Sequence, residues 1–352
     1  MNPLGPSSVP AMHRGAASGS APQRHASNLA EEKQPDRDGL ISLSAPSVAG
    51  ARAERSIVTL LTSENILVST RVARAQKLCG EHSISGERLH SLAQHALEIA
   101  ILRKDSSVLA TIERLLGHGA CIEPTFKAKP ERIGGCSSAD VYNLSDHLVI
   151  KVARNLSSEH DRMYINRERE YIPELFDKGV SVPRPVPFSL LAGRLGQAFP
   201  DSLTQGLLAI GNPPRGACAV MERIYGEAIP SPSQAERHRE LFGSTSEETE
   251  RMLKQQLRID FSEKLETHPK YLHALKVDPL RHVEYEKASA CGFNISDDQW
   301  HNAIYSSHLD QIFLIDFSWW QRSNPVKHVV QSLKHEALSG IRFWAGTFGI
   351  RC

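Results

Sequence analysis

The chain has 352 residues, is 40% hydrophobic and 23% charged, and carries a formal net charge of +1. That balance gives no footing for nucleic acid or an anionic membrane, and no run approaches the roughly 18 to 20 apolar residues of a membrane span. Six cysteines, Cys79, Cys121, Cys136, Cys218, Cys291 and Cys352, stand without C-x-x-C or Cys/His ligand spacing, which argues against a zinc site or disulfide framework and makes reducing cytosol the default compartment.

Residues 1 to about 50 are rich in Ser, Ala, Pro and Gly, with few branched apolar residues outside Leu40 to Leu43. Such a segment cannot bury enough surface to offset its ordering entropy, and it reads as a disordered tail. Its composition fits a plain solvated tail and an uncleaved export signal alike. From 51 to 125 the pattern becomes helical. Leu89, Leu92, Ala96, Ile99 and Leu102 recur at steps of three and four, and Val108 to Leu116 does so again. The stretch from Ala96 to Pro124 looks like the helix pair and Gly-Ala turn of one ankyrin repeat. One repeat cannot bury its own face, so the expectation is a helical pack that braces the next domain.

At Glu131 the texture turns to strands. Ile133 to Tyr142 reads I-G-G-C-S-S-A-D-V-Y; Ser145-Asp146 then supplies turn residues and Val149 to Val152 a buried strand containing Lys151. An ordinary hairpin explains this as well as a loop over phosphates does, and an isolated strand lysine usually just snorkels at an edge. Asp161 to Lys178 predicts a helix. On it Glu170 points to a different side from Glu168, and Pro173 is expected to kink or end the helix. Ala217 to Gly226, A-C-A-V-M-E-R-I-Y-G, is an apolar strand that ends at Met221 and Glu222. It reads either as a core strand or as one delivering the chain to a base-binding hinge.

A helical lobe follows, with Ser244-x-x-Glu247 as a capping box and Pro279 expected to open a helix toward Cys291. Asp297 then stands five residues before Asn302. The apolar runs Ala303 to Tyr305 and Ile312 to Ile315 predict a short hairpin that presents Asn302 and Asp316. Any one Asp here serves equally well as a cap or turn residue, and Asp298 reads as one. As a set they suit phosphoryl transfer, which needs a carboxylate to orient the acceptor hydroxyl and oxygen ligands for a hard cation.

Taken in order, Gly134, Lys151, Glu168, Met221, Asp297, Asn302 and Asp316 resemble the protein-kinase-like superfamily over about 130 to 352. The resemblance implies an α+β, bilobal protein-kinase-like fold with a truncated C-lobe. Its divisions would be a tail at 1–50, a helical module at 51–125, an N-lobe at 126–227 and a C-lobe at 228–352. Gly134, Gly135, Cys136, Ala139 and Val141 would cover the phosphates of ATP, with Cys136 and Ala139 standing where glycines are usual. Lys151 would bridge the phosphates and pair with Glu168. Met221 would be the gatekeeper, with the backbone of Glu222 and Ile224 at the adenine edge. Asp297 would be the catalytic base, and Asn302 and Asp316 the Mg2+ ligands.

Only thirty-six residues follow Asp316. In that brevity and in its Ser-rich tail the chain is similar to the truncated bacterial type III secretion effector kinases of the OspG and NleH kind. That resemblance implies a monomeric Ser/Thr protein kinase without an activation-loop switch, exported into a host cytoplasm to act on a host protein. Some members also bind host ubiquitin machinery. Ile295 and Ser296 depart from the usual His-Arg before the base, and Ser318 from the usual Gly after Asp316-Phe317. Two other readings stay open. One is a small-molecule phosphotransferase of the aminoglycoside or choline kinase sort, to which V-S-V-P-R-P and V-M-E-R-I-Y-G look similar. The other is a pseudokinase or binding module, favoured by the altered glycine loop and the absent His-Arg.

Overall fold

A computed structural model describes residues 47–117, 122–187, 199–243, 246–294, 300–317 and 320–322. The first four helices are α1 (Val48–Leu61), α2 (Val68–Glu81), α3 (Gly86–Arg103) and α4 (Ser106–Leu116). Each start has a chemical reason where a short polar side chain precedes it: Ser47 accepts from Gly50 N, Ser85 from Arg88 N and Asp105 from Ser107 N. The residues before 47, which hold nearly all of the Ser-rich tail, lie outside the described residues.

A five-stranded antiparallel sheet comes next, built from β1 (Arg132–Gly135), β2 (Ala139–Asn143), β3 (Leu148–Ala153), β4 (Pro185–Val186) and β5 (Cys218–Glu222) in the order β1-β2-β3-β5-β4. Two helices interrupt it, α5 (Glu159–Asp177) and α6 (Asp201–Ala209). Successive strand residues point to opposite faces, yet all six positions of β3 are buried, so both faces must be covered. Val149 and Ala153 pack with Ile165, Ile172 and Leu175 of α5. Leu148, Ile150 and Val152 pack with Ile57, Leu61, Leu92, Ile99 and Leu102 of the helical module. The module thus shares an apolar layer with the sheet's outer face.

The last part contains α7 (Pro232–Phe242), α8 (Ser246–Leu257), α9 (Pro269–Ala290), β6 (Phe293–Asn294), β7 (Ala303–Ser306), β8 (Gln311–Leu314) and β9 (Gln321–Arg322). β7 and β8 form the expected hairpin, and β6 pairs with β9. Neither Pro279 nor Pro173 starts or ends a helix. Pro279 opens nothing: α9 starts ten residues earlier at Pro269, with the His268 ring accepting from Lys270 N, and runs through Pro279. Pro173 likewise sits inside α5, which continues to Asp177. An interior proline removes one hydrogen bond. Here buried residues beyond each proline, Leu175 in α5 and Arg281, Glu284 and Ala288 in α9, hold the helix together by packing. Ser244 of the capping box lies outside the described residues.

One seam joins the chain leaving β5 to the hairpin. Glu227 N donates to Tyr305 O at 3.0 Å, and Tyr305 N donates back to Glu227 O at 2.8 Å. The preceding residue is Gly226, where a Cβ would collide with the Tyr305 carbonyl. Among the described residues no helix is long and apolar enough to cross a membrane.

Candidate active site

Lys151 lies in the middle of β3, opposite Val141 of β2 and Ala219 of β5; two pairs along, Val149 faces Met221. On the same side of the sheet runs α5. Ser158 caps it, accepting from Asp161 N at 3.2 Å, and Glu159 and Asp161 complement the positive end of its dipole. The turn on which Ile172 and Leu175 face the core also buries Glu168, which is 2% exposed, whereas Glu170 is exposed. Lys151 Nζ stands 2.5 Å from Glu168 Oε1 and 3.2 Å from Asp316 Oδ1.

Asp316 follows β8 with φ +59, in the left-handed region that Asp tolerates better than most residues. The turn lets two neighbouring residues address the same pair. The Asp316 carboxylate reaches Lys151, and Phe317 N donates to Glu168 Oε1 at 3.2 Å. Asn302, 4% exposed, precedes β7; Ile315 N donates to its carbonyl at 2.8 Å, which holds it across the hairpin from the residue before Asp316. Burial disfavours the Lys151 ammonium, but Glu168 and Asp316 outweigh that and hold its pKa above the ordinary lysine value.

The loop between β1 and β2 is tight, closed by Cys136 N donating to Ala139 O at 2.8 Å. The close approach falls at Gly135. A Cβ there would lie 2.7 Å from Ala139 O and 2.8 Å from Asp140 Oδ1, while Gly134 has open space around its Cβ position. Asp140 ties the loop down through Arg132 at 2.9 Å and Arg154 at 2.8 Å. Ala139 is buried in the layer below the sheet, and Cys136 and Val141 pack against it.

At the end of β5 stands Glu222. Its N–H donates to Arg184 O at 2.9 Å and is therefore not offered to a base. Its carboxylate turns into a half-buried pair with Arg55 and accepts from Arg184 N at 3.1 Å. Burial would raise the Glu222 carboxyl, but Arg184 and Arg55 pull it down to about 2. Arg223 N is also taken, by His147 O at 2.8 Å, and half-buried Ile224 follows. Beside Met221 a cavity of about 140 Å³ opens between α5 and the β4–β5 edge, lined by Glu168, Ile172, Pro173, Pro185 and Ala219. Asp297, together with Ile295, Ser296, Asp298 and Ser318, lies outside the described residues.

No protein-family model matches the chain, and no curated protein matches it. Among solved structures it is similar to the streptomycin-ATP-APH(2")-IIa ternary complex, at TM-score 0.27 and 15% identity over 56% of this chain and 68% of that one. It is also similar to an aminoglycoside phosphotransferase from Alicyclobacillus acidocaldarius subsp. acidocaldarius, at TM-score 0.25 and 14% identity over 58% and 68%. At such scores neither likeness bears weight, and the reading of the site rests on its own geometry.

The sequence reading missed Arg55 and Arg184. Arg55 of α1 donates to Glu222 Oε2 at 3.0 Å and to Val182 O at 2.9 Å, and its guanidinium lies 4.8 Å from the centre of the Phe313 ring on β8. Arg184 donates to Arg55 O at 2.9 Å and Thr59 Oγ1 at 2.7 Å. Arg184 was visible inside V-S-V-P-R-P. Nothing in the spacing points to Arg55, 167 residues before the carboxylate it holds.

Proposed function

We propose that this chain is an ATP- and Mg2+-dependent phosphotransferase acting on Ser/Thr hydroxyls of a protein. The observation that carries the phosphotransfer reading is Lys151 held between Glu168 at 2.5 Å and Asp316 at 3.2 Å, by side chains from a strand, a helix and a hairpin far apart in sequence. An ammonium fixed in this way is aimed, and pre-aimed charge is what phosphoryl transfer asks of a protein. The protein acceptor and the role as an exported effector follow the sequence resemblance to the truncated effector kinases.

The residues fit the group they would hold. Lys151, Glu168 and Asp316 together carry one positive and two negative charges, which favours a cation beside them. Among the described residues no cluster of three or more His, Cys, Asp or Glu could form an all-protein cage. One carboxylate and one amide, Asp316 and Asn302, make the sparse donor set that suits magnesium shared with a nucleotide. When bound, magnesium supplies neutralisation of phosphate charge. Glu168 positions Lys151, Lys151 would hold the phosphates, and the Gly135 turn lets the β1–β2 backbone lie close. Asp297 is proposed to orient the acceptor hydroxyl.

The test is phosphate incorporation from γ-labelled ATP into proteins of a cell lysate, with Lys151→Ala and Asp316→Ala beside the wild type. Transfer lost in both variants supports the reading; wild type and variants equally inactive sink it. A small-molecule acceptor is a second reading with its own observation. The two segments that look similar to such enzymes are knitted together, Pro185 and Val186 pairing with Met221 and Val220 while Arg184 holds Glu222. Transfer to an aminoglycoside or choline but to no protein would replace the first acceptor by the second.

A further inference from the structure

We infer that Arg55, on the first helix of the N-terminal module, is a positioning residue for phosphotransfer, so that the module is part of the catalytic apparatus; this rests on the phosphotransfer reading above. Arg55 lies far from Lys151 in sequence and on the other side of the sheet's core, yet it touches the supports of both halves of the site. Its Nε and Nη2 grip the carboxylate of Glu222, the residue that ends β5 and begins the proposed hinge, at 3.0 to 3.3 Å. Nη2 also donates to Val182 O at 2.9 Å, on the stretch between α5 and β4. The carbon of the same guanidinium lies over the ring of Phe313 at 4.8 Å and over that of Phe176, near the end of α5, at 5.7 Å. Phe313 is three residues before Asp316.

A neighbour on α1 completes the clasp. Arg52 donates to Leu309 O at 3.0 Å and to Asp310 O at 3.1 Å, at the tip of the hairpin whose far end carries Asn302 and Asp316. One helix face therefore spans the hinge carboxylate, the end of α5 and both ends of β8. A planar, always-charged fork is the side chain suited to hold a carboxylate, a carbonyl and a ring at once, which lysine cannot do. The consequence reaches the site because Lys151 and Asp316 approach only if the sheet and the hairpin keep their relative placement. A misplacement of about 1 Å in such a site can cost roughly a hundredfold in rate.

The experiment measures ATP turnover and autophosphorylation of the full chain while ATP and Mg2+ are varied separately, for Arg55→Met, Arg55→Lys, Glu222→Gln and Arg88→Met. Arg88 is the control. It holds Glu54 of the same helix in a two-pronged pair at 2.7 Å but lies within the module, so its loss costs stability without touching the hinge or hairpin. Arg55→Met and Glu222→Gln are expected to raise the KM for ATP and the Mg2+ half-saturation roughly tenfold. Combining them should add little, because they break one network. Arg55→Lys, which keeps the charge, should recover part of the loss, and it decides the matter should Arg55→Met not fold. Arg88→Met should lower the melting temperature and leave both constants in place. The inference is overturned if Arg55 and Arg88 variants move the constants alike, or if both move only the melting temperature. A wild type that neither binds nor turns over ATP overturns the phosphotransfer reading itself, a result distinct from an active wild type indifferent to Arg55.

Discussion

Ile150 and Lys151 are adjacent on one strand and belong to different parts of the molecule. Ile150 is fully buried among the helices of the N-terminal module, and Lys151 points the other way into a carboxylate pair. The surroundings of Ile150 are apolar side chains of the module and the sheet. The inner face concentrates ionised groups and keeps them there by mutual pairing. A strand buried on both sides makes this division possible: the alternation of side chains separates fold stability from chemistry by a single residue step.

Substitutions on the two faces should separate in kind. The largest effect is expected from Asp316→Asn, which keeps size and removes charge: transfer should fall about a hundredfold or more, while the urea midpoint moves little. Lys151→Ala should lose transfer to the same degree and also stability, because it leaves Glu168 buried without its ammonium partner. On the outer face, Ile150→Ala should cost about 2–5 kcal/mol in urea unfolding, with transfer persisting at temperatures where the chain stays folded. If Ile150→Ala instead abolished transfer in a folded protein, the division between the faces would be wrong.

Acid should strike the clasp between the module and the hinge. The folded-state pKa of Glu222 is depressed to about 2 from an ordinary 4.5. Its contribution is therefore fully present above pH 4.5 and is lost as pH falls from there toward 2, on the order of 3 kcal/mol in all. Glu222→Gln should flatten that part of the pH–stability curve. A smaller effect belongs to His95, which stacks on His147 at 4.9 Å and is held well below the ordinary imidazole value by burial and by Arg184. The folded chain takes up this proton less readily than the unfolded one, so stability should decline as pH drops below 6.5. Burial lowers the pKa of His147 as well, so His95→Phe should reduce that slope in thermal melts, and a slope left unchanged would assign it to another group.

What could be read from the sequence was local. Glu168 was recoverable because Ile172 and Leu175 could be set on the inward positions of the helix in the family the chain resembles, and the β7–β8 hairpin because two apolar runs flank turn residues. Lys151, Glu168 and Asp316 were gathered by order along the chain, and the structure brings their charged atoms within hydrogen-bonding distance. The failures were matters of tertiary context. Pro279 looked like a helix start and Pro173 like a kink or an end, since propensity cannot register the packing that carries a helix past a proline. The partner of the Glu222 side chain was not legible, because the arginine that captures it lies in another part of the chain. Gly134 and Gly135 were indistinguishable as letters, and only the approach of Ala139 O shows which one needs to lack a side chain.

The Gly226 seam bears on how the two halves can move. Reciprocal backbone bonds between Glu227 and Tyr305 fix the register of the chain leaving the hinge against the hairpin. Sliding one past the other would break both bonds at once, whereas a rotation about the seam can keep them. A relative motion that keeps both bonds is then a pivot with its axis near Gly226, placed where the absence of one methyl group lets the two backbones touch.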